Sequence, residues 1–255
     1  MACSPQSPRW LIRDGQVEKA RKVLNKVRTS EEEVENEISD IQNSLKTQEA
    51  GLYELFHTFR PVLVLLLILT VFQVFTGINA AVYYAPEIFH NLGLANASIV
   101  ADFGVGIALV VSTLVSLPFI DRLGRKKLLE ISLGGQVLPA IALCIWSNNA
   151  TIAVASIFLY VFMFGFGLGP VFWSYVPEIL PLKARALGMG VITFTQYLLN
   201  AIFSLIFPIV LSWIGINVFY FFALLSAIAV WYIHKYVLET KGKSLEDIEQ
   251  YWEGR

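Results

Sequence analysis

Residues 61–86 read PVLVLLLILTVFQVFTGINAAVYYAP, 26 positions without one Asp, Glu, Lys or Arg. An apolar helix of about 20 residues crosses a hydrocarbon layer of about 30 Å, so this stretch is long enough to span a membrane. Three more uncharged windows follow, at 103–120, 131–177 and 186–234. The last two hold 47 and 49 residues; as single helices each would be roughly 70 Å long, more than twice what a bilayer needs. Each carries a polar break, at Ser147-Asn148-Asn149 and at Trp213-Ile214-Gly215-Ile216-Asn217. Six spans are therefore expected, at about 62–89, 99–120, 128–147, 151–176, 187–212 and 216–237.

The composition agrees with that reading. Of 255 residues, 56% are hydrophobic and 15% charged, against about 25% charged in a soluble domain. A nucleic-acid binder, a secreted disulfide module and a disordered chain are excluded. The formal net charge of −1 implies no polyanionic partner. Cys3 lies in a polar segment and Cys144 in an apolar one, so no disulfide framework is expected. Residues 1–60 lack the charged stub and apolar core of a cleavable signal; the first span is expected to act as its own insertion signal.

Cations mark the orientation. Lys and Arg number nine up to Arg60; Arg122, Arg125, Lys126 and Lys127 fill the loop at 121–127. Lys183 and Arg185 lie in the loop at 177–186, and Lys235, Lys241, Lys243 and Arg255 at the C-terminal end. The loops near 90–98, 147–150 and 213–216 have none. By the positive-inside rule, both termini are expected in the cytoplasm. The chain then divides into a cytoplasmic segment at 1–60, a six-span bundle at 61–237 and a cytoplasmic tail at 238–255.

The first segment carries two apolar stripes at helical spacing, Val17, Ala20, Val23, Leu24 and Val27, then Val34, Ile38, Ile41 and Leu45. Ser30 with Glu33, and Ser244 with Asp247, have the spacing of capping boxes. Short amphipathic helices at the inner mouth of the bundle are expected, the alternative being solvated linkers with some helix.

Five strings, in order, carry a family resemblance: PQSPRWL at 5–11, QVFTGINAAVYYAPEIF at 73–89, DRLGRKKLL at 121–129, VPEILPLKARALG at 176–188 and LETKGKSLEDIE at 238–249. Together they resemble the sugar porters of the major facilitator superfamily, which include facilitative glucose carriers and bacterial sugar–proton symporters. The motifs are those of the second half of a twelve-span carrier. The resemblance thus implies an all-α integral membrane fold, the six-helix C-terminal bundle of such a transporter, with Met1 falling where span six would end. It further implies a truncated or split gene product, with a separately encoded N-terminal six-span half as one partner.

A sugar presents hydroxyls, so its site needs uncharged donors and acceptors beside an aromatic face. Amides inside a span are expected to face the bundle interior. Gln73 and Asn79 straddle Thr76-Gly77 in the first span, where a glycine can loosen the helix. Gln196 and Asn200 are four apart in the fifth and share a face. Trp173 follows Gly169-Pro170 and could stack on a pyranose ring. Each has a second reading, the amides as interhelical glue and the tryptophan as a belt residue. The resemblance implies hexose contact for Gln73, Asn79, Trp173 and Asn200, and a variable site-lining position for Gln196. Tyr83 and Tyr84 match external-gate aromatics; their second reading is belt tyrosines.

This sequence also departs from the family pattern. The usual Gln-Gln pair is Gln73-Val74, a site-lining Asn is Leu109, and a Glu eight residues before the tryptophan is Gly165. A more apolar site than that of glucose carriers is expected. Leu238 replaces the Pro before ETKG, and Gln6 a Glu.

Asp121, Arg122, Arg125, Glu178, Arg185 and Glu239 all lie at the inner ends of spans. In the family the matching residues form an ionic latch across the inner mouth; with only one half of it in this sequence, a partial latch is expected. Asp102 is expected to be a hydrated interfacial group and not a proton relay. No metal-ligand cluster, nucleophile–base pair or phosphate loop is legible, so neither an enzyme nor a cofactor is expected. The expected function is transport of a monosaccharide by alternating access, in a bilayer, with the bacterial inner membrane favoured. Alternatives are a non-transporting remnant, an assembly subunit of a split transporter, and a symmetric homodimer.

Overall fold

The computed structural model of the protein describes residues 6–28, 30–46, 51–91, 93, 96–243, 247–248 and 251–252. These residues form helices and connecting turns, with no strand among them. They fall into two compact units, 1–50 and 51–255.

The first unit contains α1 (Pro8–Arg13), α2 (Val17–Leu24) and α3 (Glu31–Lys46). Leu11, Ile12, Ala20, Leu24, Val34 and Ile38 make its small core, with Val17, Val23 and Ile41 packed against it. Both expected stripes are thus used, the side chain of Leu45 lying outside the described residues, with one correction: Val27 is exposed, because α2 ends at Leu24 and the chain turns before the stripe's last position. The Ser30 hydroxyl accepts from the Glu33 N–H at 3.2 Å, capping α3. Arg21 pairs with Glu35, and Arg28 donates to Glu37 at 2.7 Å, tying α2 and its following turn to α3. The hydrogen bond from Arg28 holds the Glu37 carboxyl below the ordinary carboxylate range. That tie is therefore complete at neutral pH and is lost as pH falls through the lowered value. Ser244, of the second expected capping box, lies outside the described residues.

The second unit begins with α4 (Leu52–His57) and continues through eight helices: α5 (Arg60–Phe75), α6 (Ile78–Asn91), α7 (Ala97–Leu123), α8 (Arg125–Ile145), α9 (Ala150–Phe166), α10 (Leu168–Ile179), α11 (Arg185–Ile214) and α12 (Val218–Tyr236). Five continuous helical stretches in it are long and apolar enough to cross a membrane. The last, Arg185–Tyr236, is 52 residues long and turns at the 3-10 segment Gly215–Asn217, so that α11 and α12 are separate helices. α8 and α9 pack together, α12 lies against α8 and α5, α11 against α5, and α7 against α6 and α9.

Two of the stretches are broken in mid-course. α5 gives way to α6 at Thr76-Gly77, as the glycine suggested. Gly77 sits at φ +90°, and a Cβ there would fall 2.3 Å from the Phe222 ring. The second break, between α9 and α10 at Gly167, has no counterpart in the expected span 151–176. An apolar surrounding offers no water to the backbone groups a break frees, so neighbours must supply partners. The Tyr160 hydroxyl on α9 donates to the Thr76 carbonyl. At the other break the Ser132 hydroxyl on α8 donates to the Met163 carbonyl at 2.7 Å and accepts from the Leu168 N–H at 2.9 Å. Each break is thus closed by a hydroxyl from another helix. At the start of α9 the Asn149 side chain accepts from the Ile152 N–H at 3.2 Å, acting as an N-cap.

Ser132→Ala removes both ties at the second break and is expected to lower stability by about 1–2 kcal/mol. Thermal unfolding of the detergent-purified protein checks this; an unchanged midpoint would show that the break is held by packing alone.

Candidate functional site

Four amides meet beside the first break. Gln73 is in the last turns of α5, Asn79 in the first turn of α6, and Gln196 and Asn200 sit one turn apart on α11. The Gln196 Nε2 donates to Gln73 Oε1 at 3.1 Å, both side chains being buried. Asn79 Nδ2 donates to Asn200 Oδ1, and Asn200 Nδ2 to the Gln196 carbonyl at 3.0 Å. The break is what allows this meeting: it lets residues on either side of Thr76-Gly77 face one helix. Gln196 is 8% exposed, and its Oε1 accepts from no group among the described residues. A buried acceptor without a donor is uncommon in folded proteins.

Around the amides the walls are aromatic. Phe75 packs edge-on against Phe203 at 5.9 Å, and Phe203 stacks on Phe207 at 5.1 Å. Trp173 on α10 is 36% exposed, its ring edge-on to Phe172; among the described residues it makes no contact with the amides that is recorded as a hydrogen bond. The two tyrosines part company. Tyr84 packs on Phe207 at 4.9 Å and lines a cavity of about 340 Å³ with Glu87, Ser147 and Ser212, whereas Tyr83 is exposed.

One of the sequence departures, Gly165, acquires a physical reason. A Cβ at Gly165 would stand 2.0 Å from the Ser112 Oγ, so α9 and α7 approach too closely for a side chain there. Leu109 lies on the same stretch of α7, and its carbonyl accepts from Ser112 at 3.0 Å. Neither position offers a polar side chain.

A second constellation gathers at the basic end of the bundle. Arg125, the first residue of α8, donates through Nε and Nη2 to Glu178 Oε1 at 3.1 and 2.9 Å. The other Glu178 oxygen accepts from the Thr240 hydroxyl at 2.6 Å. Glu239 caps α8 from 114 residues away, accepting from the Arg125 and Lys126 N–H groups at 2.9 and 3.1 Å. A carboxylate there satisfies orphan donors and faces the positive end of the helix dipole. Gly124 makes room: it sits at φ +88°, and a Cβ would fall 2.5 Å from the Glu239 carboxylate. Lys241 donates to the Arg122 carbonyl at 2.7 Å, and Tyr175 to the Leu238 carbonyl at 3.0 Å. The strand-like tail thus holds its course with Leu238 in place of proline.

The expected charge group is brought together only in part. Arg125, Glu178 and Glu239 form one network, with Asp121 at its exposed margin, 3.5 Å from Arg125. Arg122 joins through its backbone, and Arg185 Nη2 reaches the Leu180 carbonyl at 3.4 Å. The sequence reading missed Tyr160, Ser132, Thr240 and Lys126. A serine one helix away from a glycine-rich run was the only trace of the second break.

Glu239→Gln keeps the side chain's length and is expected to lose about 1–2 kcal/mol of stability. Gly124→Ala, which adds backbone strain and displaces the same carboxylate, is expected to lose about 2–4 kcal/mol. Unfolding midpoints in detergent would separate these two expectations, and equal midpoints for all three proteins would sink the capping role.

Comparison with known proteins gives consistent results. The family described as "Sugar (and other) transporter" matches residues 1–252. The chain is 39% identical to the putative metabolite transport protein YwtG of Bacillus subtilis (strain 168), covering 96% of this chain and 56% of that protein. It is 34% identical to a D-xylose transporter of Levilactobacillus brevis, with the same two coverages. Among solved structures, the proton:xylose symporter XylE bound to 6-bromo-6-deoxy-D-glucose aligns with a TM-score of 0.81 at 29% identity, over 98% of this chain and 55% of that one. The chain thus spans about half the length of the relatives it matches.

Proposed function

We infer that this chain, which belongs to the sugar (and other) transporter family, forms the substrate-holding wall of an alternating-access carrier for a monosaccharide. The observation that carries this reading is the amide cluster Gln73–Gln196 and Asn79–Asn200, uncharged, set at a helix break, with a buried oxygen on Gln196 that lacks a donor. A sugar hydroxyl both donates and accepts. It can therefore donate to the Gln196 Oε1 and take over amide groups that otherwise bond to one another. Exchanging an amide–amide bond for an amide–hydroxyl bond has little net cost. Trp173 offers a partly exposed aromatic face to the ring's apolar side. Relatives named as transporters of xylose and glucose support a hexose or pentose as cargo.

The break also suggests how binding is linked to motion. Asn79 lies beyond it on α6, and Asn200 on α11; a ligand that replaces their bond frees or draws α6 about Gly77. Tyr84 on α6 would travel with it as the outer gate, Tyr83 lying nearer the solvent. The Arg125–Glu178–Glu239 network at the opposite end serves as a fixed brace within this bundle, to which Asp121 and Arg122 add exposed charge and Arg185 a half-buried one.

Rocking of one bundle against another requires a second six-span bundle as the opposite wall. The most apolar windows of α7 and of Arg185–Tyr236 are only 17% and 22% buried, against 67% for Arg60–His90, which supports a large partner surface there. The distribution of Lys and Arg supports cytoplasmic termini, and the bacterial relatives support the inner membrane.

Uptake of labelled xylose and glucose, in transporter-deficient bacteria expressing this chain with a first-half bundle, tests the reading. Saturable uptake is expected, with KM raised about tenfold in Gln196→Leu and Asn200→Leu, the effect of about 1.4 kcal/mol of lost hydrogen bonding. Unaltered KM in both variants, with membrane insertion verified, would refute the site.

Orientation has its own check. With Cys3 and Cys144 replaced by serine, a cysteine at Ser147 is expected to react with an impermeant maleimide on intact cells, and one at Gly242 only after permeabilisation. The reverse pattern would invert the topology.

A further inference from the structure

From the amides, α6 and α11 both run on toward the end of the bundle whose loops carry no Lys or Arg. There, with the α8–α9 turn and the 3-10 segment Gly215–Asn217, they enclose the cavity of about 340 Å³ that Tyr84 lines. Glu87 stands eight residues beyond Asn79 on α6, and Ser212 twelve beyond Asn200 on α11. Those steps are roughly 12 and 18 Å along a helix, farther than one monosaccharide reaches. The cavity is therefore a place apart from the amide cluster.

Its charge is one-sided. Glu87 is exposed, lines the cavity, and makes no hydrogen bond or ion pair with a described residue. The elements that line the cavity come from stretches of sequence without Lys or Arg, 61–121, 128–182 and 186–234. His90, one turn further along α6, is exposed and forms no ion pair with Glu87. A lone carboxylate repels an anionic guest and attracts one that donates hydrogen bonds. It accepts from two hydroxyls at once, and such charge-assisted bonds are among the stronger ones.

The rest of the lining suits the same guest. Ser212 gives its proton to the Ile209 carbonyl at 2.8 Å, which leaves its oxygen free to accept. The Ser147 and Tyr84 hydroxyls bond to no described residue, so each can donate or accept. Beside these polar groups stand the Tyr84 ring, steadied by Phe207 at 4.9 Å, and the apolar Pro208 and Leu211. A sugar offers the matching pair of surfaces, hydroxyls and C–H faces. Size points the same way. Small-molecule pockets begin at about 300 Å³, whereas a water takes up only about 30 Å³, so a single cation would leave most of this space to solvent.

We propose that this cavity is a second, outer subsite for a neutral monosaccharide, held by the Glu87 carboxylate and the Ser147 and Ser212 hydroxyls against the Tyr84 ring. The inference rests on the reading of the cargo as a sugar and adds a step to it. Capture in the outer cavity precedes transfer to the amides, and Tyr84, between Asn79 and Glu87 on α6, is the partition that the cargo passes.

Protection from an impermeant maleimide tests the subsite on intact transporter-deficient bacteria expressing the full chain. The reporter is Ser147→Cys, with Cys3 and Cys144 replaced by serine, and the ligands are xylose and glucose. Saturating sugar is expected to slow labelling severalfold. Adding Asn200→Leu is expected to leave that protection in place, because the amides lie elsewhere. Adding Glu87→Gln is expected to raise the half-protecting concentration about tenfold, the loss of a charge-assisted bond. Equal membrane levels and equal labelling after denaturation would establish that the variants are inserted and comparable. Labelling that neither sugar slows, or protection that Glu87→Gln leaves unchanged, overturns the proposal. So does protection abolished by Asn200→Leu, since the reporter would then be sensing the amide site. Protection by sodium chloride alone, or by glucosamine and neither neutral sugar, would make this a cation site and also overturns it. The amide reading fails separately, on the uptake KM of Gln196→Leu and Asn200→Leu, so that either site can fall while the other stands.

Discussion

A helix that breaks inside a hydrocarbon layer leaves carbonyl and N–H groups with no water to bond, and each must be met by another part of the protein. Most of this bundle's internal order follows from that demand. The Thr76 carbonyl is met by Tyr160, and the Met163 carbonyl and Leu168 N–H are met by Ser132. These contacts run from α9 to the α5–α6 break and from α8 to the α9–α10 break. The three stretches are thereby tied in series, each supplying the hydroxyl or the break that the next one needs. Gly77, Phe222 and the stacked Phe203 and Phe207 then fill the space around the first break.

The same accounting governs the basic end, where the donors are the first N–H groups of α8. Glu239 meets them from the far end of the chain, and in doing so fixes the tail across the α7–α8 turn. Glu178, bonded to both Arg125 and Thr240, adds α10 to the same knot. An isolated surface ion pair contributes only about 0–1 kcal/mol. This network differs because its carboxylates also satisfy backbone and hydroxyl donors, so removing one group leaves several others unmet. Arg125, Glu178 and Glu239, expected to contribute to a latch, are here bonded to one another, to Thr240 and to backbone N–H groups.

Polar groups near the first break follow a different logic. Gln73 and Gln196 are buried, Asn79 and Asn200 half-buried, and the four largely satisfy one another. Their mutual satisfaction is incomplete at the Gln196 oxygen. The close approach of α7 and α9 at Gly165 and Ser112 removes one place where a further polar side chain would have stood.

Much of the architecture was legible before any coordinates. Four charge-free windows and two polar breaks gave the helical membrane architecture, since the length of an apolar run is set by bilayer thickness and needs no tertiary information. Five motifs gave the family, and the spacing of Gln196 and Asn200 put them on one face. The Gly77 break was visible as well, because a glycine beside polar residues is a local signal. The partnerships between distant residues emerged with the folded chain alone. Nothing local marks Ser132 as the partner of Met163 and Leu168, or Glu239 as the cap of a helix that starts at Arg125. Val27 fell outside its core because α2 ended early, a boundary set by packing and not by periodicity. Hydropathy reports which residues avoid water; it does not report which group, a hundred residues away, answers a backbone donor that water cannot reach.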